Sequence, residues 1–501
     1  MRFESRSGLE LIDRAKQHWH NTAIIASEGS FTYQQLDEAS TQVAATLLDG
    51  EADLQEARVA FLTPRGFHYV TIQWGIWRAG GIAVPLCEAH PEPELAYVID
   101  DSDVSIVIAH PEYQDKLQTI AKTKQVRFIV SDDLFRPEVT ALPLLSPQRR
   151  AMILYTSGTT GKPKGVVSTH ANIEAQVTAL VTAWEWQETD HILNVLPLHH
   201  THGITNVLTC ALWSGATCEI LLKFTPEDVW KTLAGGRLTL FMAVPTIYAR
   251  LIAYWREASP DEQQRLSAGC GQLRLMVSGS AALPVSRLEA WREISGHTLL
   301  ERYGMTEIGM GLSNALHGER LPGFVGTPLP NVQVRVVDED DKVVTAGQSG
   351  ELQVKGPNVF HEYFGRPKAT AEAFSNGWFR TGDMVVQKNG AYRILGRNSV
   401  DIIKTGGYKV SALEIEEVLR THPDIQDCAV VGVPDEEWGE CVAVALTSTS
   451  TSPLSLAELR AWGKERLAPY KVPSQLQILD DLPRNVLGKV TKPAVVKLFE
   501  S

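Results

Sequence analysis

The stretch "LYTSGTTGKPKG", Leu154 to Gly165, has the residue types that hold a polyphosphate. Thr156, Ser157, Thr159 and Thr160 offer hydroxyl donors, Gly158 and Gly161 let backbone N–H groups approach phosphate oxygens, and Lys162 and Lys164 add positive charge. It is not the common G-x-x-x-x-G-K-[ST] nucleotide loop, because Pro163 follows Lys162 and the hydroxyls precede the glycines. The histidines of "LPLHHTHG", Leu196 to Gly203, are close enough to suggest a metal. They lie on a predicted loop with no acidic or cysteine partner, which argues against zinc.

These residues need elements to position them. At 501 residues the chain is too long for one small core, so two or more domains are expected. Apolar residues make up 44% and charged residues 21%, as in an ordinary soluble protein. A net charge of −12 argues against a nucleic-acid or anionic-membrane partner in bulk. No apolar run has the length of a membrane span. The start, "MRFESRSGLELIDRAKQ", carries acids and has no apolar signal core; it reads as running directly into a helix, and no presequence is expected. The six cysteines are scattered, which fits buried thiols in a reducing compartment, and a cytoplasmic location is expected.

Strand-like runs alternate with helical patterns through the first two-thirds. "RVAFLTP", a helix near Phe67 to Arg78, "GIAVPL", a helix near Pro91 to Ile99 and "VSIVIAH" follow one another. "LTLFMAVP" leads into the helix "TIYARLIAYWREA", and "LRLMVSG" into the helix "PVSRLEAWREIS". Such alternation predicts largely parallel, covered sheets. From Val332 short strands and turns predict a small β subdomain. Beyond it, "LEIEEVLRTHPDI" and "LAELRAWGKERL" read as helices, with "CAVVGVP" and "CVAVALT" as strands. The expected fold is α/β. A large N-terminal domain, 1–396, has βαβ-type sheets and the β subdomain, and a small α+β C-terminal domain covers 397–501.

The phosphate stretch is followed in order by "LERYGMTEIG" (300–309), "RTGDMV" (380–385), "GRNSVDIIKTGGYKVSALEIE" (396–416) and "PRNVLGKVTK" (483–492). Together they resemble the adenylate-forming acyl-CoA synthetase superfamily, over essentially the whole chain. The resemblance implies that a carboxylate is joined to the α-phosphate of ATP, that pyrophosphate leaves, and that the thiol of coenzyme A then takes the acyl group. It puts the 154–165 loop on the β- and γ-phosphates and Tyr303, beside Gly304, against adenine. Thr306 falls on the α-phosphate, and Glu307, with Thr156, on Mg²⁺. Asp383 and Arg397 take the ribose, while Gly279, Ser280 and Ala281 line the adenine and acyl pocket. An aromatic face suits a base, a hydroxyl an oxyanion, and carboxylate oxygen a hard cation. Lys489, in "NVLGK", is the implied catalytic cation, stabilising charge on the transferring oxygens. The resemblance also makes the small domain mobile, pivoting near Asp401, so that Gly406, Gly407 and Tyr408 approach the pantetheine after Lys489 leaves. "GRNSVDIIK" is about one residue longer than the family's common spacing at this hinge.

The acyl pocket decides which acid is used. The resemblance brings His200, Arg250, Arg302 and Met305 to it. An apolar acyl pocket would not tolerate an unpaired guanidinium. A second substrate carboxylate would satisfy it, and so would an internal acid such as Glu301. "GSAALP" and "GHTLLERYGMTEIGM" further resemble the malonyl-CoA synthetases, which implies malonate, with methylmalonate as a second acid. The rival readings are a ligase for a medium-chain or aromatic acid, a stand-alone enzyme loading a carrier protein, and a non-catalytic binding protein. No nucleic-acid or membrane partner is expected, and the protein is expected to be a monomer or weak homodimer.

Overall fold

A computed structural model of the chain describes residues 7–135, 141–156, 162–406, 408–436, 438–450, 454–485 and 488–500. Among the described residues, two large sheets form the first domain. The nine-stranded sheet has a parallel centre: Thr22–Ala26, Thr217–Ile220, His191–Asn194, Leu240–Ala243, Leu275–Ser278 and Leu300–Met305 lie side by side. Its edges are antiparallel. Gly29–Thr32 folds back on one side, and Gly309–Ser313 and Thr327–Pro328 on the other. The seven-stranded sheet is likewise parallel through Arg127–Val130, Ile106–Ala109, Arg58–Leu62, Ile82–Pro85 and Arg150–Thr156. The strands Lys164–Thr169 and Glu362–Tyr363 close its antiparallel edge.

The apolar runs between turn signals fall on these buried central strands, as expected where both faces are covered. Phe67–Arg78 is a helix with the bounds the sequence predicts, and Glu92–Asp101 follows within two residues of expectation. Trp74, Trp77, Trp184, Trp230 and Trp291 are fully buried. A buried indole needs an acceptor. Trp77 Nε1 donates to the Ala151 carbonyl at 2.8 Å, Trp184 Nε1 to Ser313 Oγ at 3.0 Å and Trp230 Nε1 to the Leu251 carbonyl at 3.0 Å. These bonds tie helices to strands, so the indoles fix geometry as well as filling volume.

The β subdomain is an antiparallel sheet of Gln333–Val337, Ser349–Lys355, Trp378–Lys388, Phe374–Ser375 and Ala391–Arg397. Its last strand runs through Arg397, and the first strand of the small domain begins at Ile402, so the turn 398–401 joins them. The small domain has a sheet of Ile402–Thr405, Tyr408–Ser411, Ile425–Asp435, Gly439–Ser448 and Gln475–Ile478, with apolar clusters on both faces. One expected helix is shorter than its pattern: Ala412–Leu419 stops before "THP". A proline disfavours helix in the residue before it, and His422 Nδ1 accepts the Asp424 N–H at 3.1 Å, stabilising a turn instead.

The sequence pattern left one site-building feature unread. "RYGMTEIGM" is a hairpin, with Leu300–Met305 paired to Gly309–Ser313 and Thr306 at its tip. Gly309 has φ +57, and a Cβ there would meet Gln176 Oε1 at 1.6 Å. Gly309→Ala should therefore lower stability by about 2 kcal/mol or more through a left-handed backbone and a clash. A thermal melt unchanged from the wild type would reject this account.

Candidate active site

The site lies beyond the carboxyl ends of the parallel strands, the usual crevice of an open α/β sheet. Three strands of the nine-stranded sheet deliver its residues. Leu275–Ser278 ends in Gly279 and Ser280, Leu300–Met305 carries Arg302, Tyr303 and Met305, and His191–Asn194 leads to the histidine loop. Asn194 shapes that loop. Its Oδ1 accepts the Leu196 N–H at 3.0 Å and its Nδ2 donates to the Gly203 carbonyl at 3.3 Å. Gly203 is required by close approach, since a Cβ there would lie 2.4 Å from the Pro197 carbonyl. The predicted loop ends sooner than expected, because His202–Thr209 winds as a π-helix.

Arg302 is 3% exposed. Its Nη2 donates to Ser280 Oγ at 3.4 Å, its Nε has no partner, and among the described residues no carboxylate pairs with it. Burial alone lowers its pKa to about 9. The guanidinium lies across Gly279, where a Cβ would sit 2.5 Å from Arg302 Cζ. Ser280 holds φ +71, an uncommon conformation for a non-glycine residue, and its hydroxyl also contacts His202 Nδ1 at 3.2 Å. The neighbouring acid does not pair with Arg302. Successive residues on a strand face opposite sides, and Glu301 Oε1 accepts the Gly323 N–H at 3.0 Å. Burial raises the Glu301 carboxyl to about 8.

His200 is half-buried beside His199, their ring centroids 4.5 Å apart. Burial, then Lys489 and His90, lower its pKa to about 4, so the ring is neutral at pH 7. His202 entered the sequence reading only as one of three clustered histidines, yet it reaches the arginine corner. Burial, then Arg302, Lys489 and His200, hold its pKa well below the ordinary value, and its Nε2 has no partner. Arg250 is not brought into this cluster. It is exposed on the helix Pro245–Glu257, its guanidinium 4.6 Å from the centre of the Phe224 ring.

The nucleotide side joins the Leu300–Met305 strand to two strands of the β subdomain, Trp378–Lys388 and Ala391–Arg397. Tyr303 donates its hydroxyl to Asp383 Oδ2, and Arg397 Nε stands 3.4 Å from Asp383 Oδ1, across a pair of adjacent strands. Burial raises Asp383, opposed by Arg397 and Tyr303. Met305 is half-buried, its sulfur 4.0 Å from the Tyr303 hydroxyl, while Thr306 stands half-buried at the hairpin tip. Gly304 keeps the hairpin closed, since a Cβ there would meet the Gly309 carbonyl at 2.0 Å. Ala281 is exposed just past Ser280.

Thr156 and Lys164 face one another at the mouth of the phosphate hairpin; Ser157, Gly158, Thr159, Thr160 and Gly161 lie outside the described residues. The hairpin's flanks are anchored by residues the motif does not contain. Tyr97 Oη donates to the Pro163 carbonyl at 2.7 Å, and Tyr155 Oη to Asp101 Oδ2 at 2.9 Å. Lys162 Nζ lies 5.5 Å from the Tyr97 ring and Lys164 Nζ 4.8 Å from the Tyr363 ring. Tyr363 in turn donates to Glu307 Oε1 at 2.9 Å. The turn residues of "EYFGRP" were the available signal for Tyr363, though they carry no chemistry by themselves.

Glu307 is buried, burial raises its pKa, and among the described residues no lysine or arginine pairs with it. A buried carboxylate with one oxygen held by a neutral donor, near Lys164 of the phosphate hairpin, fits a hard divalent cation.

The small domain closes over this crevice. A Cβ on Gly488 would lie 3.4 Å from Thr246 of the large domain. Lys489 is open to water from the crevice, yet its walls desolvate the ammonium. Burial, then Arg302 and Arg397, lower its pKa to about 8 against the pull of Asp383. Asp401 sits in the joining turn, accepting the Arg397 N–H at 3.0 Å and pairing with Lys492 at 3.3 Å. Gly406 has φ +54 and packs against Trp438, while Tyr408 stacks on Tyr470 at 4.2 Å; Gly407 lies outside the described residues.

Two family models match. That of the AMP-binding enzymes covers residues 11–364, and that of their C-terminal domain covers 414–489. The chain belongs to the AMP-binding enzymes. Among AMP-binding enzymes it is 47% identical to the mitochondrial malonate–CoA ligase of Homo sapiens, over 98% of this chain and 92% of that protein. It is 38% identical to the malonate–CoA ligase of Arabidopsis thaliana, over 100% of this chain and 90% of that one. ATP-bound MatB from Rhodopseudomonas palustris superposes with a TM-score of 0.91 at 33% identity, over 99% of both chains.

Two outcomes test the geometry. Gly279→Ala should displace the Arg302 guanidinium and raise KM for the acid by roughly tenfold while leaving KM for ATP near its wild-type value; equal changes in both would contradict it. If Lys489 acts as a cation, kcat/KM for adenylation should fall as pH rises through about 8, its pKa in the free enzyme. Lys489→Arg should remove that alkaline limb from whatever activity remains, and an identical limb in the variant would assign it to another group.

Proposed function

We propose that the protein is an ATP-dependent malonate–CoA ligase. A malonate oxygen attacks the α-phosphorus of ATP, giving malonyl-adenylate and expelling pyrophosphate. The sulfur of coenzyme A then attacks the acyl carbon, losing its proton, and malonyl-CoA and AMP leave. The observation that carries this reading is the buried Arg302, which no carboxylate pairs with among the described residues. Burying an unpaired charge is costly. A ligand carboxylate supplies the missing partner, and a monocarboxylate spends its only carboxylate on ATP. Identity to malonate–CoA ligases over almost the whole chain supports the same acid.

Each group then has a task. Arg302, Ser280 and neutral His202 hold the carboxylate that does not react. Arg250 would have to leave Phe224 to join them, and His200 and Met305 border the acyl path. Lys489 spreads positive charge over the oxygens that gain charge as the bond to pyrophosphate breaks. Thr306 donates to the α-phosphate. Tyr303, with Gly304 beside it, gives a flat face to adenine, and Asp383 and Arg397 take the ribose hydroxyls once Tyr303 shares that carboxylate. Glu307 and Thr156 would hold a magnesium ion, which neutralises the polyphosphate. Rotation about the Asp401 turn would withdraw Lys489 and bring Gly406, Gly407 and Tyr408 towards coenzyme A. Methylmalonate keeps both carboxylates and is the next acid expected. Among the described residues the six cysteines are free and buried, which supports a reducing compartment such as the cytoplasm.

The test is pyrophosphate release with coenzyme A across malonate, methylmalonate, succinate, acetate, octanoate and a cinnamate. Malonate should exceed acetate and octanoate in kcat/KM by at least about 100-fold, since the site carries a buried group only the diacid satisfies. A preference for octanoate or cinnamate would overturn the assignment of the acid.

A further inference from the structure

The small domain reaches the large one at the first turn of the helix Val285–Ser295, which begins five residues after Ser280. Glu417 Oε1 accepts the Val285 N–H at 2.8 Å. Arg287 Nη2 stands 3.8 Å from Asp427 Oδ2, across the same boundary. Asp427 is a hub for two further arginines. Its Oδ1 accepts Arg420 Nε at 3.1 Å and its Oδ2 accepts Arg484 Nη2 at 2.8 Å. Arg484 Nη1 donates to the Gly488 carbonyl at 3.1 Å, and Gly488 precedes Lys489. The Lys489 N–H is itself held by Asn485 Oδ1 at 3.0 Å. One line of ion pairs and hydrogen bonds therefore runs from the large domain to the loop that presents the ammonium.

The same hub is built to release. Arg420 and Arg484 belong to the small domain and move with Asp427, so its charge stays compensated when Arg287 departs. Arg287 is mostly desolvated and stands against two like charges, which makes its pair the weakest of the three.

We propose that Arg287 is a positioning residue for adenylation, seating the Lys489 loop through Asp427 and Arg484 while Glu417 holds the first turn of the same helix. This rests on the ligase reading. The two half-reactions separate it from a merely structural role. Arg287→Gln should lower malonate-dependent pyrophosphate release roughly tenfold in kcat with KM values unchanged, the loss expected when an indirect contact misplaces a catalytic group. Thioester formation from supplied malonyl-adenylate should be unchanged or faster, and Arg287→Lys should recover most of the loss. Glu417→Ala should show the same split, and it carries the test if Arg287→Gln fails to fold. Equal losses in both half-reactions, or adenylation unchanged in both variants, would overturn the proposal. The ratio of half-reactions is read with whichever acid the wild type adenylates best, so a wrong acid would alter the substrate panel and leave this ratio intact.

Discussion

A buried guanidinium that no carboxylate pairs with among the described residues sets the terms for the rest of this site. Arg302 lies over Gly279, where even a methyl group would collide with it, and meets the hydroxyl of Ser280, whose backbone is left-handed. Such a charge persists only where the surrounding fold over-determines its position and a ligand completes it. The His202 ring beside it stays neutral because burial and two nearby cations oppose its protonation. The corner is thus specified by what surrounds the arginine as much as by the arginine.

The same imbalance extends over the crevice. Arg302 and Arg397 both act on Lys489, with Asp383 as the opposing charge. Unoccupied, this is a costly concentration of positive charge. Occupied by a triphosphate and a carboxylate, it becomes the field that lets two anions meet. Lys489 is delivered by a separate domain. That domain sits on the large one through the helix start at Val285–Arg287, next to the substrate corner. Closure and acid recognition therefore share one short segment, Ser278 to Arg287. A displacement on one side of it is felt on the other, because the turn and the helix are continuous backbone.

The sequence alone was enough to identify the phosphate stretch, the order of the motifs and the parallel centre of the sheets. Those signals are local: residue type, spacing and the length of apolar runs. It was also enough to raise the question of Arg302, but it left Glu301 open as an internal partner; the pleat of the folded strand turns the two apart, and Glu301 accepts the Gly323 N–H instead. Other properties were beyond it. The Arg302 corner includes His202, and Glu307 leans on Tyr363, fifty-six residues away along the chain. Arg250 carries the right chemistry at the right spacing, yet its guanidinium lies over Phe224. Whether an arginine is unpaired, and whether a lysine at residue 489 stands over a pocket built from residues near 200, 280 and 300, depends on long-range packing. Residue types and their spacing dictate which chemical groups the protein possesses and which elements carry them. The tertiary structure decided which of those groups share a desolvated space, because burial and charge proximity arise only when distant strands and two domains are brought together.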